Sequence, residues 1–140
     1  YVPGADIVID QAAVNCTVAV AAALAKVVIF AADPAGRPAG LLLETADMDL
    51  AATGLKTTAA AVTLRQGRTY WLGIRHSATA TLSSWATTAT PDINGGSPVT
   101  TLRKTLRRTV TYATPAPANF GFVATEIGSA AATAIWLRIA

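Results

Sequence analysis

His76 is the only histidine in the chain, so a Ser-His-Asp triad or a two-histidine metal site built within one chain lacks the imidazoles it needs. Placed at the end of a strand-like run, His76 reads as structural or incidental rather than catalytic. Carboxylates are equally sparse. Asp47 and Asp49 share a face if the chain is extended there, and with Asp33 they could contribute to a calcium site. No run of oxygen ligands at fixed spacing accompanies them, so they read as solvated turn residues. Asn94-Gly95-Gly96 is not followed by the Lys-Ser/Thr and helix that a phosphate-cradling loop requires. The expectation is no catalytic residue, no metal and no cofactor.

Two groups remain that could bind rather than react. Arg103-Lys104-Thr105-Leu106-Arg107-Arg108 concentrates positive charge and could contact phosphates or acidic sugars. It lacks the interleaved aromatics that stack on bases, and a charged strand edge or a subunit contact explains it as well. No nucleic-acid partner is expected. Trp71, Trp85 and Trp136 are the second group, because a flat indole face suits the apolar face of a pyranose. Trp136 sits in a terminal strand pattern and reads as packing. Trp85 precedes a polar, Gly-rich stretch and is the one expected to be exposed.

The elements that must position these residues read as strands. β-Branched or aromatic runs occur at Asp6 to Ile9, Val14 to Val20, Lys26 to Phe30, Thr57 to Leu64, Thr69 to Arg75, Thr79 to Trp85, Thr105 to Tyr112 and Thr133 to Ile139. Turn clusters lie between them at Asp33 to Pro38, Ala52 to Gly54, Arg65 to Arg68, Asp92 to Pro98 and Pro115 to Pro117. Ala19 to Lys26 has helical propensity but lies between valine-rich runs, and reads as strand, short link, strand. Leu102 to Arg108 fits a helical turn or a strand. In Thr69 to Arg75, alternation puts Tyr70, Leu72 and Ile74 on a core face and Trp71, Gly73 and Arg75 on the other. With no convincing amphipathic helix, the chain is expected to be all-β, a single-domain antiparallel β-sandwich of jelly-roll-like kind.

On that fold, ligands bind at strand ends and loops, which makes Trp85 and Asn94 the candidate ligand-binding residues. Arg75 and His76 are read as the solvated end of a hairpin whose second strand ends at Trp85, about 30 Å away at strand rise. Arg75→Ala is accordingly expected to do little.

Composition agrees with a rigid part. Of 140 residues, 52% are apolar and only 14% charged, so a lone monomer would show a surface poor in charge unless Thr, Ser or neighbouring subunits cover it. A net charge of +3, spread along much of the chain, is little to attract a polyanion. With Cys16 as the single cysteine no intramolecular disulfide forms, and Cys16 reads as a core residue. Ala12 to Ala32 carries Asn15, Thr17 and Lys26 among weakly apolar alanines and reads as strands, not a membrane span. The start Tyr-Val-Pro-Gly reads as that of a processed or partial chain.

Three segments together resemble a known family. Val28-Ile29-Phe30-Ala31-Ala32-Asp33-Pro34-Ala35-Gly36-Arg37-Pro38-Ala39-Gly40-Leu41-Leu42-Leu43 leads to Thr53-Gly54-Leu55-Lys56-Thr57 and then to Leu64-Arg65-Gln66-Gly67-Arg68-Thr69-Tyr70-Trp71-Leu72. This succession resembles a β-sandwich domain of tailed-bacteriophage and related virion proteins, with its I-Y-D-x-D-x-x-G-x-P-G-x-L-L, T-G-x-K and L-x-P-G-x-Y-W-L segments. Phe30 replaces the usual Tyr, Ala39 intervenes before Gly40, and Gln66 replaces Pro. Ile135-Trp136-Leu137-Arg138-Ile139 looks like the family's closing strand. The resemblance implies a non-enzymatic structural module of a tail fibre, tail tip or capsid appendage at the virion surface. It would assemble with other virion proteins and with copies of itself as a homotrimer, and could touch a host-surface glycan. The rival is a carbohydrate-binding module of a secreted bacterial protein.

Overall fold

Ile7 and Ile9 fall on odd positions, whereas Ala12, Val14 and Cys16 fall on even ones. A straight strand would aim these two sets at opposite faces. In the computed structural model, which describes residues 1–85, 105–121, 127–128 and 131–140, both sets line one core. They belong to one strand, β1 (Ile7–Val18), whose register slips between Ile9 and Gln11. The slip leaves Asp10 and Gln11 consecutively outside the core and restores the inward phase, as a β-bulge does. The two runs expected as separate strands at Asp6 to Ile9 and Val14 to Val20 are therefore continuous.

The link after β1 turns through Ala22 at φ 57° and enters β2 (Leu24–Ala32), so the strand, link, strand reading of Ala19 to Lys26 holds. Apart from Lys26, β2 is apolar on both faces, as befits a central strand covered on both sides. Ala25, Val27 and Ile29 face the core, while Val28 and Phe30 join a second cluster outside it. β3 (Pro38–Glu44) follows the Asp33 turn, where Gly36 takes φ 78°. No strand is expected here from the sequence, because Pro38 and Gly40 resemble turn residues. Pro38 opens the strand, a position proline tolerates. The remaining strands are β4 (Met48–Asp49), β5 (Gly54–Leu64), β6 (Tyr70–His76), β7 (Thr81–Leu82), β8 (Thr105–Leu106), β9 (Ile127–Gly128) and β10 (Trp136–Ile139).

Among the described residues two four-stranded antiparallel sheets form, each centred on a long strand, beside the short β8–β9 pair. In sheet A, β1 pairs with β5 on one side and with β10 and β7, placed end to end, on the other. In sheet B, β2 pairs with β6 on one side and with β3 and β4 on the other. Their inner faces share one core that includes Ile9, Val14, Cys16, Val27, Ile29, Leu64 and Tyr70. The protein is an all-β antiparallel sandwich, as expected, and Cys16 is buried in it.

Two connections differ from expectation. β6 and β7 do not form a hairpin: β6 belongs to sheet B and β7 pairs with β1 in sheet A. Ser77 donates its backbone N–H to Leu24 O at 2.9 Å, and the chain then crosses to the other sheet. The vacant length of β1 beyond β10, at Cys16 and Val18, supplies the pairing that β6 would otherwise have given. Of Thr105 to Tyr112, expected as one strand, only Thr105–Leu106 is strand, paired with β9. The segment that follows crosses the outer face of sheet B and meets the edge of β3. Leu41 donates to Ala118 O and Phe120 to Ala39 O, both at 2.9 Å.

Candidate functional site

Arg75, the penultimate residue of β6, lies on the outer face of sheet B and is 9% exposed. Its Nη1 pairs with Glu44 of β3, and its Nη2 donates to the carbonyls of Thr111 at 3.0 Å and Thr114 at 2.8 Å. The second oxygen of Glu44 accepts the backbone N–H of Ala116 at 2.8 Å. One ion pair thus clips residues 111–116 to the sheet. Tyr112 adds a second tie, its hydroxyl donating to Asp47, with Lys26 Nζ 5.4 Å and Arg75 Cζ 5.7 Å from its ring centroid. Burial, with help from Asp47, pushes the Tyr112 phenol well above its usual range, so it remains a neutral donor at alkaline pH. Arg75 is therefore not the solvated turn residue expected. The missed signal was on the neighbouring strand: Val28 and Phe30, opposite Gly73 and Trp71 and outward-facing, need a cover.

The cover leaves a cleft of about 570 Å³ between itself and the sheet. Its floor includes Phe30, Trp71 and Gly73, and its far wall includes Leu106, Arg107 and Tyr112. Trp71 is fixed by its indole N–H, which donates to Gly36 O at 3.0 Å. Phe30 and Phe120 meet edge to face, with centroids 5.5 Å apart. His76 lies exposed at the cleft, its Nδ1 3.0 Å from Ala78 O. Arg108 stacks over the Phe120 ring and donates to Gly121 O at 3.2 Å. Of the basic cluster, Arg103 and Lys104 lie outside the described residues.

Trp85 is 49% exposed, as expected of the three tryptophans. It does not line the cleft, but its backbone N–H donates at 2.9 Å to the carbonyl of Ala132, a rim residue. Asn94 lies outside the described residues. Because β6 and β7 part, the long separation of Trp85 from Arg75 and His76 expected from a hairpin has lost its premise: Trp85 is bonded to the rim of the cleft that Arg75 and His76 line. The other candidate chemistry resolves into turns. Asp33 Oδ1 accepts the N–H groups of Ala35 and Arg37, and Asp49 Oδ1 accepts that of Ala51.

The opposite surface, the outer face of sheet A, carries Val8, Leu55 and Trp136, exposed by 52%, 64% and 43%. Trp136, expected to serve in packing, lies directly across from Ala13, which is buried. Around them are Thr57, Ala59, Ala61 and Thr63 of β5, all exposed. Asp10 and Arg138 form a two-pronged ion pair at 2.8 and 2.9 Å, which cancels their charge on this face. Compared with protein-family models, curated proteins and solved structures, the chain has no significant match.

Proposed function

We propose that this chain is a non-enzymatic structural module of a phage or phage-like particle, a part of a tail fibre, tail tip or capsid appendage that assembles with copies of itself as a closed trimer. The observation that carries the reading is the outer face of sheet A. Val8, Leu55 and Trp136 stand on a surface of Ala and Thr whose Asp10 and Arg138 neutralise one another. Apolar area of this kind gains free energy when a neighbour covers it. Beside it β5 pairs only with β1 among the described strands, leaving an eleven-residue edge without the charges and prolines that usually blunt one, Lys56 excepted. Cyclic symmetry would bury face and edge in a closed set of copies. The virion setting rests on the resemblance of the Asp33 turn, Thr53-Gly54 and Tyr70-Trp71 segments.

Light scattering on the chain at micromolar concentration tests this. Three times the chain mass is expected, and a monodisperse monomer overturns the reading. A second reading, a carbohydrate-binding module, is favoured by the half-exposed indole of Trp85. Under it Trp85→Ala weakens glycan binding while the fold persists, and unchanged binding removes Trp85 from the site.

A further inference from the structure

We propose that the cleft on sheet B binds an acidic saccharide, with the carboxylate held by Arg107 and the sugar ring set against the Trp71 and Gly73 floor. The site lies on the sheet opposite the self-association face and does not depend on the virion reading. Among the described residues that line it, Arg75, His76, Arg107 and Arg108 are the ionisable cations and no Asp or Glu is present. The Arg75 charge is matched from behind by Glu44. Arg107 is exposed and makes no hydrogen bond or ion pair with another described residue, so its planar fork is available for a bidentate carboxylate. His76 has its Nδ1 engaged by Ala78 O, which leaves Nε2 for a ligand hydroxyl.

The floor suits a ring rather than an extended polyanion. Gly73 stands between Trp71 and Arg75 on the outward face, and a Cβ there would come within 3.1 Å of Val28 Cγ2. Its missing side chain keeps the floor flat beside the indole. The volume falls in the usual range for small-molecule sites, with mostly apolar walls and a few polar groups that fix orientation. The Arg75, Glu44 and Tyr112 clips hold one wall in place before any ligand arrives, which limits the ordering needed on binding. A nucleic acid would require a longer track of cations, and a purely apolar ligand would leave Arg107 without a purpose.

The test is calorimetric and NMR titration of the full chain with methyl glucuronide, methyl galacturonide and a methyl sialoside, alongside methyl glucoside and inorganic phosphate. At least one acidic sugar should bind saturably, and roughly tenfold tighter than the neutral glucoside. Phosphate should not displace it at equal concentration. Arg107→Glu should abolish the binding with an unchanged melting curve, because the side chain is exposed, and Gly73→Leu should block it by filling the floor. Failure of all three acidic sugars to bind overturns the proposal. So do equal affinity for glucoside, displacement by phosphate, or full binding by the Arg107→Glu variant.

Discussion

Removing the Arg75 guanidinium would leave Glu44, whose side chain is only 15% exposed, without its main partner, and would free the carbonyls of Thr111 and Thr114. Breaking one half of a buried ion pair costs about 3 kcal/mol. Arg75→Ala is therefore expected to lower the urea midpoint substantially, and a shift of under about 1 kcal/mol would show that residues 111–116 are held without it. The exposed carboxylates make a different prediction. The Gln66 N–H, then Arg65, holds Asp6 below its ordinary value, and the Arg138 guanidinium does the same for Asp10. Their folded pKa values lie below the unfolded ones, so the stability they add is complete above about pH 4 and is lost as pH falls through the folded values. In thermal melts over an acid series, the Asp6→Asn, Asp10→Asn double variant should lose less melting temperature below that pH than the parent does. Parallel curves would rule out both pairs as the source of acid sensitivity.

At the level of elements, two turns make opposite predictions. Ala22 holds φ 57° in the link between β1 and β2, a conformation unfavourable for an L residue by roughly 1 kcal/mol or more. Ala22→Gly relieves that strain against the extra flexibility of the unfolded chain, and should stabilise by about 0.5 kcal/mol. Gly67 takes φ 68° in the turn from β5 to β6 and has open space where a Cβ would go. Gly67→Ala should then cost about 1 kcal/mol for conformational reasons alone. Denaturant melts that showed both changes with the same sign would contradict this account of the links.

For the whole molecule, the interface of the proposed assembly should be separable from the fold. Leu55 and Trp136 lie outside the core and are 64% and 43% exposed, so charging them removes little from a single chain. The Leu55→Lys, Trp136→Lys double variant should scatter light as a monomer while retaining a cooperative melt. An unchanged assembled mass would exclude this face as the contact.

The residues that read correctly did so because their signals are local. β-Branched alternation in Thr57 to Leu64 and Tyr70 to Ile74, the Asp33 and Arg65 turns, and the core position of Cys16 all follow from neighbours within a few residues. Even the bulge was written in the change of phase between Ile9 and Ala12, which a one-strand reading with a slip would have caught. What the tertiary structure alone decided was pairing at long range. β7 joined β1 rather than β6 because a vacant edge sixty-odd residues earlier was there to take it. Arg75 became buried because residues 111–116 were laid over it, and no property of Thr69 to Arg75 foretells that cover. The cleft follows from the same event. Its floor is a strand face legible as Trp71, Gly73 and Arg75, and its far wall is distant in the chain, so the site exists only once hydrophobic burial of Val28, Phe30 and Phe120 has brought the two together.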